Sequence, residues 1–291
     1  MQDNIQEYLK AFKNLKVAVV GETITDEFVP VKYQGQSMKS FCPVFELMEG
    51  EVQKQLGGAG AIARHLKNFV GKLDLYSNNP EDIIKTRYLD INSGQKHLEF
   101  NKFSKHNFET VDVNCNEYDV VIVADFGHGY CDHLNINDGF HLMCQTNSNN
   151  FGFNRLSKWK TKRKASVCID LREASLQLNH KIAECTPEIM KELFNYELST
   201  DQLYVTIGKK GAVYTDGNEV DYHHSYPTKI VDTIGAGDAF FSFSALTARI
   251  AKGFNEKLRI PSLAASLTTT WLCNEFDVTP DNLKDHANKY L

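Results

Sequence analysis

Short runs of apolar residues predict strands that are buried on both faces. Residues 17–20 and 120–124 contain no polar side chain and are followed by Gly21 and Asp125. Such runs, without alternation of polar and apolar residues, are typical of parallel sheets that helices cover on both sides. Residues 165–170 and 203–207 are further predicted strands, and 212–214 returns beside the latter after a glycine turn.

Other segments repeat their apolar residues at helical spacing. In residues 2–14, Ile5, Leu9 and Phe12 share one side of a predicted helix. Further helices are predicted at 56–69, 240–250, 260–274 and 281–291. No internal repeat, low-complexity tract or linker interrupts this order, which predicts one continuous domain over residues 1–291.

Two segments, 29–55 and 85–103, alternate poorly and predict short, irregular strands. They form either one small sheet or two surface hairpins with no shared role. Residues 145–154 are rich in amide side chains and poor in apolar ones, which predicts a loop.

Composition excludes several classes of function. The chain has 291 residues, 42% hydrophobic and 24% charged, with a net charge of −5. This is ordinary globular composition, without the basic surface expected for nucleic acid or anionic membranes. There is no apolar run of about 20 residues and no signal-peptide core in the first 14. Seven cysteines without CxxC spacing predict reduced thiols and a cytoplasmic location.

Gly235, Ala236, Gly237 and Asp238 are the strongest candidates for chemistry. They precede the predicted helix at 240–250, so bare backbone N–H groups and the positive end of the helix dipole could face an anion. A carboxylate beside an anion site suits a general base that deprotonates a hydroxyl attacking a bound phosphate. A Walker loop is excluded because its Lys and Ser/Thr are missing. The plainer interpretation is a glycine-rich helix cap.

A second glycine-rich stretch includes Gly57, Gly58 and Gly60. The spacing Gly58-x-Gly60-x-x-Ala63 is similar to a dinucleotide fingerprint. The preceding residues 51–55 are too polar for a buried strand, and no acidic residue closes a later strand at the required distance. A dinucleotide site is therefore not predicted.

The string 232–240, Asp-Thr-Ile-Gly-Ala-Gly-Asp-Ala-Phe, resembles the C-terminal signature of the ribokinase (pfkB-type) family of small-molecule kinases. The resemblance implies a three-layer α/β/α sandwich with a central, mostly parallel sheet. It also implies a small β-sheet lid, at about 29–55 and 85–103, that often pairs with a second subunit. The implied reaction is ATP-dependent phosphorylation of a sugar hydroxyl, with Asp238 as base and Gly235 to Gly237 as the anion hole.

The same resemblance assigns residues to the substrate. Asp26 matches an aspartate that binds sugar hydroxyls, and the Gly57-Gly58 backbone matches the family's N-terminal glycine pair. The order of motifs around Thr86-Arg87 and Asp125-Phe126 is similar to that of heptose-phosphate kinases. This similarity implies that Arg87, Asp125 and His128 lie beside a sugar phosphate. The chain departs from the family at Glu22 and Ala61, where Asp and Asn are usual.

For the nucleotide, the resemblance points to Thr206, Gly208 and Gly211, and to Arg172 near the phosphates. Mg²⁺ is implied as a cofactor, and the resemblance also allows a monovalent cation. In the family an Asn and a Glu hold Mg²⁺ through water, whereas this chain has Glu188 and Lys191, with Glu192 one place late. Glu188 and Glu192 are the candidate water-mediated ligands.

Two alternatives stay open. A kinase fold with weakened catalysis, acting as a binding or regulatory protein, would account for Ala61, Glu188 and Lys191. A nucleoside kinase would account for the same signature with a different acceptor. The predicted partners are a sugar or sugar phosphate and a second copy through the lid, with neither nucleic acid nor membrane.

Overall fold

A computed structural model describes residues 2–104, 108–146, 154–196 and 198–290. Residues 147–153 of the predicted amide-rich loop lie outside this described part. The described strands are β1 (Lys16–Gly21), β2 (Thr23–Gln36), β3 (Pro43–Leu47), β4 (Gln53–Gly58), β5 (Lys72–Ser77), β6 (Ile83–Asp90), β7 (Lys96–Phe103), β8 (Val111–Val113), β9 (Val120–Asp125), β10 (Leu134–Ile136), β11 (Phe140–Cys144), β12 (Lys164–Asp170), β13 (Leu203–Thr206), β14 (Ala212–Thr215) and β15 (Val220–His223). The described α-helices are α1 (Gln2–Phe12), α2 (Ala59–Leu66), α3 (Leu171–Leu178), α4 (Pro187–Asn195), α5 (Ala236–Ile250), α6 (Phe254–Thr268) and α7 (Pro280–Ala287).

An eight-stranded sheet forms the centre of the fold, in the order β15-β14-β13-β12-β11-β9-β1-β5. Neighbours are parallel from β5 to β13, whereas β14 and β15 add antiparallel to that edge. The carboxyl ends of the parallel strands therefore lie along one rim. That rim is where open α/β sheets bind ligands.

Two apolar cores cover the two faces of this sheet. Val17 and Val19 of β1 pack in one core with residues of α2, α5 and α6. Ala18 and Val20 point the other way and pack with residues of α3 and α4. This alternation is expected for a strand buried on both sides. It confirms the predicted α/β sandwich with a mostly parallel sheet.

The five-stranded sheet formed by β2, β3, β4, β6 and β7 stands apart from the central sheet. Its longest strand, β2, pairs in parallel with β6 and antiparallel with β3 and β4. Strand β2 begins at Thr23, separated by only one residue from the end of β1. Its first polar residues, Thr23, Thr25 and Asp26, are buried.

Two other features bear on the composition-based expectations. None of the described helices is long and apolar enough to cross a membrane. The cysteines of the described chain are all free thiols, and most of them are buried.

We predict that Phe243→Ala destabilises the fold by about 3–5 kcal/mol, because it leaves a cavity between α5 and α2. The Phe243 side chain is 0% exposed. Its ring lies edge-on to Phe69, with 4.7 Å between ring centroids. Urea unfolding would measure the loss. Phe41→Ala is the matched control, because Phe41 is 98% exposed and its removal should change stability by less than about 0.5 kcal/mol. Equal effects of the two variants would contradict the packing described.

Candidate active site

The N-terminus of α5 begins at a glycine whose backbone requires the absence of a side chain. Gly235 caps the helix with φ 88°, in the left-handed region. A Cβ at this position would lie 2.4 Å from Oδ1 of Asn274. Both constraints explain why the segment uses glycine where the chain turns into the helix.

The next backbone N–H groups point to open space. The Ala236 N–H donates to the Thr233 carbonyl at 3.3 Å, but those of Gly237 and Asp238 have no acceptor among the described residues. A Cβ at Gly237 would meet nothing within 4 Å. Unpaired donors at the positive end of a helix form an anion site. The geometry therefore suits a phosphate.

Asp238 lies in the first turn of α5, partly accessible to solvent. Burial raises its pKa to about 7, and the negative charge of Asp26 adds to this effect. The Gly58 backbone N–H and the Lys85 ammonium oppose it. A carboxylate with a pKa near neutrality is suited to accept a proton from a hydroxyl.

Asp26 lies on β2 and is 4% exposed. One carboxylate oxygen forms an ion pair with Nη1 of Arg87, and the other lies 3.9 Å from Sγ of Cys273. A Cβ on Gly57 would be only 2.6 Å from Oδ2 of Asp26. Glycine at position 57 therefore allows the carboxylate to lie directly against the backbone of β4.

Arg87 joins two carboxylates on the inner side of the five-stranded sheet. Besides Asp26, it binds Oε2 of Glu99 through Nε at 2.9 Å, and it is 8% exposed. Strand pairing places Arg87 opposite both Phe28 of β2 and Glu99 of β7. Its positive charge is thus matched by protein carboxylates, and its main contact is with the side chain predicted to bind the sugar.

Asp125 lies beneath the rim instead of facing the pocket. It is 0% exposed, and it accepts hydrogen bonds from the Gly127 N–H at 3.0 Å and the Trp159 Nε1 at 2.9 Å. The Lys158 ammonium also lies 2.9 Å from Oδ2 of Asp125. With these partners, the carboxylate supports the loop that carries His128, and its place beside a sugar phosphate stays a prediction.

Glu22, which lies between β1 and β2, supports the same loop. Its Oε2 accepts the Phe126 N–H at 2.7 Å, and burial together with Asp125 raises its pKa to about 7. Potential ligand atoms of Glu22, Asp125 and Cys131 lie within 4.8 Å of one another. The Lys158 ammonium already supplies positive charge at this cluster, so its residues fit a structural network better than a metal site.

His128 is half-buried above this network. Burial, and then the positive charge of Lys85, lower its pKa to about 4. Its Nε2 is buried and has no hydrogen-bond partner in the part of the chain that the structure describes. Its ring lies 5.0 Å from the ring of Phe103 on β7, centroid to centroid. The loop and the five-stranded sheet therefore meet at His128.

Lys85 was not predicted as a site residue. It lies on β6 opposite Asp26 and is only 8% exposed. The sequence offered one clue: Lys85 and Arg87 are two residues apart, and on a strand this spacing places both side chains on one face. A single lysine in an irregular polar segment does not by itself indicate a binding site.

A separate cavity of about 500 Å³ opens beyond β12 and β13. Its lining includes Arg172, Thr206 and Gly208 from the predicted nucleotide site, together with Lys181. Gly211 is not part of the lining. A Cβ on Gly211 would lie 2.0 Å from the His223 carbonyl, and its φ is 111°, so this glycine permits the tight turn between β13 and β14.

Glu188 and Glu192 are exposed on α4. A hydrogen bond from the Thr186 side chain, and then one from the backbone N–H of Glu188, lower the pKa of the Glu188 carboxylate. Within the described residues, neither glutamate belongs to a cluster of three potential metal ligands. The helix thus offers isolated carboxylates and does not build a metal cage.

We predict that Asp238→Asn stabilises the folded chain, and more so at about pH 8 than at about pH 5. The pKa of Asp238, raised from 3.8 to about 7, means that the folded chain binds the extra proton in this range. The stability of the wild type therefore falls as the pH rises through this range. In Asp238→Asn the side chain is an amide that does not ionise, so this loss of stability does not occur. Urea unfolding of both proteins would test this. A variant that is less stable at the higher pH would contradict the placement of Asp238.

Comparisons with known proteins connect this geometry to a family. Residues 165–271 match the family model described as pfkB family carbohydrate kinase. Ribokinase of Bacillus subtilis (strain 168) is 37% identical over 67 residues, a match that spans 23% of this chain and 23% of that protein.

Solved structures extend the similarity to the whole fold. Thermotoga maritima ribokinase aligns with a TM-score of 0.65 and 14% identity, covering 94% of this chain and 99% of its own. The Arabidopsis thaliana ribokinase complexed with ribose and ATP aligns with a TM-score of 0.65 and 14% identity, covering 94% of this chain and 98% of its own. A nucleoside kinase of Methanocaldococcus jannaschii aligns with a TM-score of 0.61 and 16% identity, covering 95% of this chain and 99% of its own. At these identities, the likeness shows the fold.

The family model covers the signature of Gly235 to Asp238, which carried the predicted resemblance. It also covers all four residues of the predicted nucleotide site, Arg172, Thr206, Gly208 and Gly211. The resemblance predicted from the sequence is therefore confirmed: the C-terminal part of the chain matches the pfkB family of carbohydrate kinases, and the chain as a whole has the ribokinase fold.

Proposed function

We propose that this chain is a sugar kinase that transfers the γ-phosphate of ATP to a hydroxyl of a sugar or sugar phosphate. One observation carries the proposal: a carboxylate with a pKa of about 7, Asp238, lies directly beside the open N–H groups at the N-terminus of α5. A base and an anion site in contact are what phosphoryl transfer to an alcohol needs. The pfkB match supports this class of enzyme.

In the proposed reaction, Asp238 accepts the proton of the attacking hydroxyl. The hydroxyl oxygen forms a bond to the γ-phosphorus while the bond to the β-phosphate oxygen breaks, and ADP leaves. The segment Gly235 to Gly237, the predicted anion hole, would stabilise the negative charge on the transferred group. Its donors would be the N–H groups that have no acceptor among the described residues, those of Gly237 and Asp238. The proton remains on Asp238 until it passes to solvent.

The sugar would be oriented by Asp26 together with the backbone of Gly57 and Gly58. Arg87 holds the Asp26 carboxylate in place, while the other oxygen of Asp26 remains toward Gly57. An acceptor hydroxyl bound between Asp26 and Asp238 would face the α5 N-terminus. Holding the reacting groups in this orientation lowers the entropic part of the barrier.

The nucleotide would occupy the cavity that Arg172, Thr206 and Gly208 line. Mg²⁺ would neutralise phosphate charge when bound. The isolated carboxylates of α4 fit a metal carried mainly by ATP, with Glu188 and Glu192 as the proposed contacts through water. The monovalent cation, the homodimer through the five-stranded sheet and the cytoplasmic location stay predictions.

A catalytically weakened, regulatory kinase fold is the second candidate. The exposed Glu188 and Lys191, which replace the family's metal-holding pair, favour it. The complete signature and the pKa of Asp238 favour a working enzyme. A nucleoside acceptor remains a third case, since the fold is shared with a nucleoside kinase.

We predict that ADP release from Mg-ATP depends on a sugar or sugar phosphate and falls at least about 100-fold in Asp238→Asn, the scale expected for loss of a general base. The assay covers neutral sugars, sugar phosphates and nucleosides. Asp281→Asn is the matched control, because Asp281 also lies in the first turn of a helix, α7, but is far more exposed.

Each outcome separates the candidates. Turnover with nucleosides alone would identify a nucleoside kinase. ATP binding without turnover on any acceptor would favour the regulatory protein. Turnover that survives Asp238→Asn would show that the proposed base is wrong.

We also predict that the activity depends on pH through the ionisation of Asp238. The value of kcat/KM should rise about tenfold per pH unit below a pKa near 7 and level off above it, because only ionised Asp238 accepts the proton. The residual activity of Asp238→Asn should lack this rise. A wild-type profile that is flat between about pH 5 and 8 would argue against Asp238 as the base.

A further inference from the structure

We propose that Lys85 and His128 form an anion subsite in the acceptor pocket, and that the acceptor is a sugar that already carries a phosphate monoester. This inference rests on the proposed function, because it names the substrate class of the same pocket. It adds a specificity-determining residue, Lys85, which the sequence did not indicate.

The Lys85 side chain is largely buried, and its ammonium has no counter-ion in contact. The residue is 8% exposed, and it has no ion pair or hydrogen bond with any residue in the described part of the chain. Burial lowers its pKa. The Nζ atom itself is not among the fully buried, unpartnered polar atoms of the described residues, so the ammonium remains accessible. An accessible ammonium on a buried stem, without acceptors from the protein, suits a group that binds an anion.

Arg87, two residues along the same strand, provides the contrast. Its guanidinium is matched by the carboxylates of Asp26 and Glu99. An incoming anion would have to displace one of them. Lys85 is therefore the cation of this face that is available to a ligand, while Arg87 positions Asp26.

His128 supplies the second donor. Its Nε2 is buried and has no hydrogen-bond partner among the described residues. Its ring packs against Phe103 of β7, the strand that pairs with β6, which carries Lys85. The positive charge of Lys85 also contributes to lowering the pKa of His128. Two cationic or potentially cationic groups near each other are disfavoured without an anion. A phosphate between them would accept hydrogen bonds from both and would favour protonation of His128.

The position of Lys85 indicates which phosphate is bound. Strand pairing places Lys85 on β6 directly opposite Asp26 on β2. The ammonium therefore lies on the side of Asp26, which the proposed function assigns to the sugar, and away from the helix N-terminus that would hold the transferred group. The anion that it meets belongs to the acceptor.

We predict that Lys85→Met raises KM for a sugar phosphate by on the order of 10- to 100-fold, the scale of a lost charge-assisted hydrogen bond, with a smaller effect on kcat. Methionine is apolar and similar in length, so the fold should be at least as stable, which thermal unfolding would check. Lys102→Met is the control, because Lys102 is an exposed lysine on the neighbouring strand β7.

A second measurement does not depend on turnover. Proton NMR would follow the His128 ring as a function of pH, with and without millimolar inorganic phosphate. Bound phosphate should raise the pKa of His128 from about 4 by at least about one unit in the wild type and in Lys102→Met. In Lys85→Met the pKa without phosphate should already be higher, and the response to phosphate should be weaker.

These measurements distinguish a failure of the phosphate subsite from a failure of the proposed kinase function. Efficient turnover of neutral sugars, a preference for sugar carboxylates, or equal effects of Lys85→Met and Lys102→Met would overturn the phosphate subsite. So would a His128 pKa that ignores phosphate. If no acceptor is turned over but phosphate raises the His128 pKa through Lys85, the subsite stands and the proposed kinase function fails.

Discussion

The balance of negative charge from two carboxylates, Asp26 and Asp238, is the constraint on which the proposed active site depends. Burial raises the pKa of Asp238, and the negative charge of Asp26 raises it further. The protein offsets this with the Arg87 ion pair, the Gly58 N–H and the Lys85 ammonium. These three groups come from β6 and the end of β4, so the five-stranded sheet must pack over the rim for the base to ionise near neutral pH.

Close backbone packing also explains why glycine occurs where β1, β4 and β9 meet. A Cβ on Gly58 would lie 2.3 Å from the Glu22 carbonyl, and one on Gly21 would lie 2.1 Å from the Ala124 carbonyl. The backbone segments touch directly at these points. A carboxylate on one segment is then within reach of N–H groups on another, which loosely packed loops would not ensure.

The sequence predicted the local parts of this structure and not the parts set by long-range contacts. The apolar run of β9 and the glycines before α5 have local causes, so both were found. Strand β11 was missed because His141 interrupts its apolar pattern. In the fold, His141 is 2% exposed, its two ring nitrogens face the hydroxyls of Ser166 and Ser244, and burial lowers its pKa to about 3. Its partners lie on β12 and α5, far along the chain.

Asp125 and Lys85 show the same limit within the site. A strand-end aspartate predicts a ligand contact, but the roles of its partners Trp159 and Lys158 become visible only when the chain is folded. Lys85 is the opposite case: the sequence did not predict it as a site residue, because its polar segment gave no reason to expect burial. Under the proposed function, the substrate would be recognised by the cation that the carboxylates leave unmatched, Lys85. That charge balance also links the acceptor to the base: an anion at Lys85 would weaken the one side-chain cation that favours ionised Asp238, so the positive end of α5 must then carry more of that role.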